Sequence, residues 1–362
     1  MLYLAYIIFT FTLIQLIVAL VNLLYIHQPT SGICNFNGLV SVLIPARNEE
    51  SNIANLLHDL QNQDYQNIEI IVFNDLSTDR TEDMISQIAK NDRRIRLVNS
   101  EGLPEGWLGK NYACHGLSKM AQGEYLLFLD ADVRVRNGII ANSVALAEKY
   151  KTGLLSIFPK QKTVSLGEYL TVPSMNYILL TLLPLVLVLK SKFASMAAAN
   201  GQFMLFERAK YFETLPHERF KNNKVEDIEI ARYFKQNNIP VICTLGDETI
   251  ECRMYNGFNE AVNGFSKNVV NFFGNSFFAA ILFWAVTTFG FLVIFSELST
   301  ALCCIYLIIV LATRVLVLFI SKQNIFLNLI LLVPQQFTLG ILIYKAVIYK
   351  FNKRLKWKGR NI

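Results

Sequence analysis

Hydrophobic and polar positions follow three different patterns along this chain. From Leu2 to Ile26 there is no charged residue. At 1.5 Å per residue such a run covers a hydrocarbon core of about 30 Å with some tilt. A cleaved signal peptide would show a basic start, a shorter apolar core and a small-residue cleavage site. None of these is clear, so residues 1–27 read as an uncleaved transmembrane anchor. After a polar connector, short apolar runs alternate with helical periodicity. Leu39–Ile44, closed by Pro45, Ile68–Phe73, Ile95–Val98 and Glu124–Leu129 read as strands. Ile53, Leu56, Leu57 and Leu60 mark a helix, and Thr81–Lys90 and Asn111–Ala121 read as two more. Strand–helix alternation, with strands running into polar residues, predicts a mostly parallel sheet with helices on both faces.

Further on, Gly153–Phe158, Val241–Thr244 and Thr249–Met254 read as strands. Lys224–Phe234 reads as a helix with an acidic first turn. Ala194–Leu205, small and glycine-containing, is expected to be a strand with a tight turn. Tyr169–Leu189 is apolar but broken by Pro173 and Pro184. It reads as an interfacial or re-entrant segment over residues 169–190, because a crossing there would separate the two halves of the α/β domain (residues 38–270). The third pattern fills residues 274–349. Gly274–Phe295 is uncharged, Leu298–Ile320 is interrupted only by Arg314, and Gln323–Tyr344 is uncharged around Pro334-Gln335-Gln336. The tail at residues 350–362 holds Lys350, Lys353, Arg354, Lys356, Lys358 and Arg360 and no acid, which reads as cytoplasmic. Three crossings would put this tail opposite a cytoplasmic α/β domain, and two would put it on the same side. The expectation is two or three crossings, with the Pro334 segment the one that enters without crossing.

Composition sharpens this picture. The 362 residues are 53% hydrophobic and 17% charged, against about 25% charged in soluble domains. The net charge of +6 fits a membrane surface or phosphate-bearing ligands, and no nucleic-acid partner is expected. Six cysteines without a CxxC pair give neither a disulfide framework nor a zinc site. The four histidines show no ligand spacing.

The candidate chemistry gathers at strand ends, where ligands bind in parallel sheets. The strand Glu124–Leu129 runs into Asp130-Ala131-Asp132. Carboxylates two apart on a strand share a side, and two of them with phosphate oxygens and water make a site for Mg²⁺ or Mn²⁺. Asp75, at another strand end and followed by Ser77 and Asp79, is placed to accept from a base or ribose. Lys110, beside Gly106 and Gly109, suits a diphosphate. The acidic pair Glu226-Asp227 offers a base for an acceptor proton. Taken singly, each motif is matched by a bland alternative: a helix cap, a solvated turn, a surface lysine. Their order along one chain is the more specific signal.

That order resembles the inverting, nucleotide-sugar-dependent glycosyltransferases of family 2, which have the GT-A fold, from Val40 to about Asn268. Val42-Leu-Ile-Pro45-Ala46-Arg47-Asn48-Glu49 is similar to that family's first strand and loop, which implies nucleotide contacts from Pro45, Arg47 and Glu49. Ile71-Val-Phe-Asn74-Asp75-Leu76-Ser77-Thr-Asp79 is similar to its uridine-binding segment, with Asn74 and Leu76 where Asp and Gly are commoner. The resemblance implies Asp130 and Asp132 at the nucleotide and metal, with Asp132 the direct ligand, and Asp227 as the base. Glu226, Arg253 and Lys267 fall in the acceptor or diphosphate region. Leu103-Pro104-Glu-Gly106-Trp107-Leu-Gly109-Lys110, Arg253-Met-Tyr255, Gly264-Phe-Ser-Lys267-Asn268 and Trp357-Lys-Gly359-Arg360 resemble a narrower, membrane-anchored branch associated with carotenoid and hopanoid glycosylation. Gln-x-x-Arg-Trp, frequent in the family, is absent, which weighs against a processive polysaccharide synthase. The resemblance implies transfer of one sugar from a UDP-sugar to a membrane lipid on the cytoplasmic face of a multi-pass cell-membrane protein. Polyprenyl phosphate and a growing polysaccharide stand as alternative acceptors. A non-catalytic nucleotide-binding membrane protein is the alternative from another class.

Overall fold

In the computed structural model, residues 1–25, 36–352, 356–357 and 360–361 are described, with side chains described to residue 350. His27, Cys34 and most of the basic tail lie outside the described residues. The chain opens with α1 (Leu2–Tyr25), then builds β1 (Val40–Ala46), α2 (Ile53–Gln61), β2 (Ile68–Asn74), α3 (Thr81–Ala89), β3 (Ile95–Asn99), α4 (Gly109–Met120) and β4 (Tyr125–Leu129). Next come β5 (Val133–Val135), α5 (Ile139–Tyr150), β6 (Leu154–Phe158) and β7 (Lys160–Gln161). Three short helices follow, α6 (Leu166–Thr171), α7 (Pro173–Leu182) and α8 (Val186–Lys190), before β8 (Phe203–Glu207). The rest of the α/β region is α9 (Arg208–Thr214), α10 (Pro216–Arg219), α11 (Glu226–Gln236), β9 (Val241–Leu245), β10 (Ile250–Cys252) and α12 (Phe258–Phe265). The chain continues with α13 (Phe277–Glu297), α14 (Thr300–Ile320), α15 (Ile325–Ile330) and α16 (Leu332–Asn352).

Seven strands form one sheet in the order β3-β2-β1-β4-β8-β6-β9. Every pairing is parallel except those of β8, which runs antiparallel between β4 and β6. This mostly parallel sheet is the expected fold class. Its central strands β1, β2 and β4 are buried almost throughout, as two helix-covered faces require, while the edge strand β3 is largely open. The reversed strand matters for the site. Phe203, the first residue of β8, pairs with Leu129, the last of β4. The turn before β8 therefore stands at the carboxyl ends of the parallel strands. A three-stranded sheet, β5-β10-β7, closes over the same end.

Three expectations are corrected. Strand β1 does not stop at Pro45; Pro45 pairs with Phe73 and Ala46 with Asn74. The β4 ladder ends at Leu43, so no bond from that side is lost at the proline. Only the end of the Ala194–Leu205 stretch is strand; Ala194–Met196 is a 3-10 turn. The helix expected over Asn111–Ala121 begins two residues earlier, at Gly109, so Lys110 lies in its first turn; the amide of Leu108 donates to Lys221 O and Tyr112 N already bonds back to Leu108 O.

Among the described residues four helices, α1, α13, α14 and residues Leu332–Lys350 of α16, are long and apolar enough to cross a membrane. The region between Tyr169 and Leu189 forms only short helices. Nine of the ten residues of α7 are buried, as expected of a helix that is apolar all round and packed on every side. Its C-terminal carbonyls are met by α1: Asn22 Nδ2 donates to Leu180 O and Leu183 O, and Asn22 Oδ1 accepts from Leu185 N. Helix α16 runs antiparallel to α13. Trp284 Nε1 donates to Gln336 O, while Lys350 lies over the ring of Phe277, the first residue of α13. Lys345 Nζ and Tyr349 OH donate to Asn263 of α12. The turn after α14 meets the α/β domain as well, through Gln323 Nε2 to Gln161 O.

Candidate active site

The carboxyl ends of β1, β2 and β4 open into one cleft. It is lined by Pro45, Arg47, Glu49, Asp75, Lys110, Asp130 and Asp132, together with Ala46, Gly109, Ala113 and Ala131. The residues expected to touch the nucleotide and metal therefore share one wall. Two loops shape its rim. The amides of Asn48, Glu49 and Glu50 donate to Ser77 Oγ, Thr81 Oγ1 and Asp79 Oδ2. In return Asn48 Oδ1 accepts from Thr78 N. Arg47 Nη1 donates to Asp75 O at 2.5 Å and lies 4.0 Å from Asp75 Oδ2. Asn74 turns away into the scaffold, with Nδ2 on Asn99 and Glu82 and Oδ1 accepting from Ser77 N. Leu76, where glycine is commoner in the resembled family, has φ +52°. That left-handed conformation costs a branched side chain about 1–2 kcal/mol and explains why glycine suits the position.

The floor of the cleft is a charge cluster. Lys110 Nζ lies 2.7 Å from Asp130 Oδ1 and 2.8 Å from Oδ2, 3.2 Å from Gly201 O and 3.9 Å from Glu226 Oε1. Asp227 Oδ2 accepts from Gly201 N at 2.9 Å, and its Oδ1 accepts from Ile228 N. Gly201 is thus the hub between the acidic pair on α11 and the lysine on α4. A Cβ there would stand 3.1 Å from Lys110 Nζ, 3.5 Å from Glu226 Oε1 and 3.6 Å from Asp227 Oδ2. Burial pushes the Glu226 carboxyl up to about 7, and Lys110 only partly offsets it. Burial also raises Asp227, against hydrogen bonds from Ile228 and Gly201 that favour its charged form. Burial disfavours the Lys110 charge, but Asp130 and Glu226 outweigh it and hold the ammonium above its usual range.

Asp130 and Asp132 supply hard oxygen donors on one wall, a set that suits Mg²⁺ or Mn²⁺. Among the described residues no three His, Cys, Asp or Glu side chains converge into a protein-only cage. Phosphate oxygens and water would have to complete the shell, which is usual for magnesium at nucleotides. Behind Asp132, Cys252 pairs with Val133, and its Sγ accepts from Gln202 Nε2 at 2.9 Å.

Arg253 and Lys267 lie outside the cleft lining. The Arg253 guanidinium grips Glu168 of α6, whose side chain is 1% exposed, at 2.9 Å. Burial works against the Glu168 charge, yet Arg253 and the donors Val164 N and Ser165 Oγ bring the carboxyl down to about 2. Lys267 is lowered by burial and by the neighbouring Lys224. Sequence reasoning missed Gly201 and Asn111. The Asn111 side chain, 1% exposed, donates to Phe220 O, Lys221 O and Asn223 O, and so ties α4 to the loop leading into Glu226. The only hint of Gly201 was a glycine among small residues; its place depends on the register of β8.

Residues 41–210 match the family model described as Glycosyl transferase family 2. Over this segment the chain is similar to that family. The whole chain is similar in fold to a mannosyltransferase from Pyrobaculum calidifontis solved with GDP-Man and Mn2+. The TM-score is 0.58 over 95% of this chain and 97% of that one, at 17% identity. Among characterised relatives, the chain is 27% identical over 239 residues to a 4,4'-diaponeurosporenoate glycosyltransferase of Staphylococcus haemolyticus, covering 64% of this chain and 60% of that protein. It is also 27% identical over 275 residues to the protein of the same name from Staphylococcus aureus strain MRSA252, covering 71% and 69%. The match thus spans under two thirds of the first relative's length. In this chain the cleft stands at the sheet end where β8 reverses, so the acidic pair of α11 and the lysine of α4 meet across a single glycine.

Proposed function

We propose that this chain is a membrane-bound inverting glycosyltransferase that moves one sugar from a UDP-sugar to a lipid acceptor. The observation that carries the reading is the convergence of Lys110, Asp130, Glu226 and Asp227 on Gly201, at the floor of the cleft that holds Asp75. Asp75, with Pro45, Arg47 and Glu49, binds the nucleotide. Lys110 serves the diphosphate. Asp130 and Asp132 would hold Mg²⁺ or Mn²⁺, which when bound supplies a Lewis acid for charge on the leaving group. Asp227 takes the acceptor proton, and burial has moved its pKa toward the working range of a general base. The acceptor oxygen bonds to the sugar carbon as the bond to the diphosphate breaks, and a single base on the face opposite the leaving group gives inversion.

The lipid acceptor is supported by the named relatives, whose stated substrate is a carotenoid acid, and by the helix bundle against the domain. In this reading α1, α13 and α14 cross the bilayer, while α15 enters from the domain side and α16 returns to it. The α6–α8 segment lies at the interface, the domain is cytoplasmic, and an acceptor arrives sideways. That route avoids exposing an acyl chain to water, at about 0.8 kcal/mol per CH₂. Polyprenyl phosphate is the second reading, favoured by the proximity of Lys224 to Lys267. The test incubates membranes bearing the protein with radiolabelled UDP-sugars, with and without chelator, alongside Asp227→Asn. Chelator-sensitive label in the extracted lipid, lost in the variant by a factor of about 10² or more, is expected. Label in an insoluble polymer, or none with donor still bound, refutes the reading. Chromatography of the lipid product separates carotenoid from polyprenyl acceptors.

A further inference from the structure

One cation in the helix bundle has no role in the reaction above. Arg314 sits on α14 six residues before its end at Ile320, about 9 Å along the axis from the turn that touches Gln161. The residue is 8% exposed. Its guanidinium stacks 3.4 Å from the centre of the Tyr177 ring of α7, and Nε is buried without a hydrogen-bond partner. Among the described residues no carboxylate lies within ion-pair distance of it. The helices around it do not offer one: α1, α7, α14, α15 and α16 contain no Asp or Glu, and α13 has only Glu297 at its far end.

A buried, unpaired charge is costly, and inside a bilayer an ionisable side chain marks a ligand or ion site by default. The ring of Tyr177 offsets part of the cost through cation–π attraction, worth about 2 kcal/mol when desolvated. It supplies no negative charge. A guanidinium is the side chain best matched to bidentate carboxylate or phosphate. Its depth, less than two helical turns below the domain side, is where lipid head groups meet acyl chains.

We infer that Arg314, braced by Tyr177, holds the anionic head group of a membrane lipid between α7 and α14. The inference rests on the membrane reading given above. An anion bound there would lock α7 against the crossing helices. Because α6 and α7 join the bundle to the glycosyltransferase domain, the lipid would set how the domain seats on the membrane.

The test reconstitutes the full chain in nanodiscs of phosphatidylcholine alone, with added phosphatidylglycerol, or with added long-chain fatty acid. Inorganic phosphate is added to the neutral discs as a fourth arm. Retained lipid is read by native mass spectrometry, and stability by thermal unfolding. The wild type is expected to retain phosphatidylglycerol or fatty acid over phosphatidylcholine by about tenfold, equivalent to about 1.4 kcal/mol, and to unfold at higher temperature with it. Arg314→Leu loses the preference, and Arg314→Lys keeps part of it. Equal retention of neutral and anionic lipid by the wild type overturns the inference, whatever the variants do. So does an Arg314→Leu protein that is more stable with unchanged lipid preference. Stabilisation by inorganic phosphate alone overturns the lipid assignment. Failure of the membrane reading is distinguishable, since the protein would then wash off membranes at alkaline pH.

Discussion

Replacing Lys110 with methionine tests the electrostatics of the cleft directly. In the structure the Lys110 ammonium spans both oxygens of Asp130 at 2.7 and 2.8 Å. A divalent cation arriving at Asp130 and Asp132 must displace or share that ammonium. A unit charge and a doubly charged cation about 6 Å apart repel by about 1.4 kcal/mol in water-like surroundings and about 5 kcal/mol at an effective dielectric near 20. The two side chains are each 26% exposed, so screening places the effect near the lower figure. Lys110→Met should therefore bind Mn²⁺ about tenfold more tightly than wild type when no nucleotide is present. With UDP present the order should reverse, because the lysine then serves the diphosphate. Free Mn²⁺ measured by electron paramagnetic resonance gives both affinities without any turnover. Equal or weaker Mn²⁺ binding by Lys110→Met without nucleotide would refute the assignment of Asp130 to the metal wall.

Two further substitutions follow from the same floor. The Glu226 carboxyl, raised by burial to about 7, binds more protons folded than unfolded. The stability it contributes is full below its unfolded pKa of about 4.5 and fades as pH rises through 7. Glu226→Gln removes that loss, so its melting temperature should gain on wild type steadily from pH 5 to pH 8; a gap that stays constant or closes contradicts the raised pKa. Gly201→Ala puts a methyl group 3.1 Å from Lys110 Nζ and within 3.6 Å of both acidic side chains. It should leave the melting temperature within a few degrees, given the small volume added, yet lower kcat for sugar transfer by about 10²-fold, a 1 Å displacement being enough. Unchanged kcat would mean the hub has slack.

Much of this arrangement could be read before the fold was known. Asp75 and Asp130 stood out because each ends a run of buried apolar residues, and parallel strands place such ends on one side. The anchor and the apolar C-terminal third were equally plain, since charge is absent over whole helix lengths. What could not be read was anything that depends on strand direction or long-range pairing. Gly201 is a neighbour of Asp130 only because β8 reverses, with Phe203 opposite Leu129. The start of α4 at Gly109 is set by contacts to residues 220–223, more than a hundred positions away, against the low helix propensity of glycine. Arg253 looked like a free cation for an acceptor. Its partner, Glu168, sits 85 residues upstream, immediately before the apolar segment Tyr169–Leu189.

The number of crossings illustrates the same limit and gives the sharpest remaining prediction. Hydropathy counts Leu332–Lys350 as a span like the others, and three spans after the domain would carry the basic tail to its far side. The contacts argue otherwise. Phe277 starts α13 beside the domain, and Gln323 at the end of α14 touches Gln161, so α13 and α14 together go out and come back. From there the chain reaches Gln336, level with Trp284, two turns along α13. It ends α16 with Lys345 on Asn263 and Lys350 over Phe277, again beside the domain. Residues 323–350 therefore start and finish on one side. Trp284 and Gln335, which donates to Tyr169 O, hold the turn in place. With the domain cytoplasmic, as proposed, the positive-inside rule would then be met by a tail that follows on the same side. A reporter active only in the cytoplasm, fused after Lys350, should be active, and one fused after Ser299 inactive. Single cysteines at the same two points should react with a membrane-impermeant maleimide from opposite sides. Activity of the fusion after Ser299 with silence of the one after Lys350 would mean that α16 crosses and that its pairing with α13 has been misread.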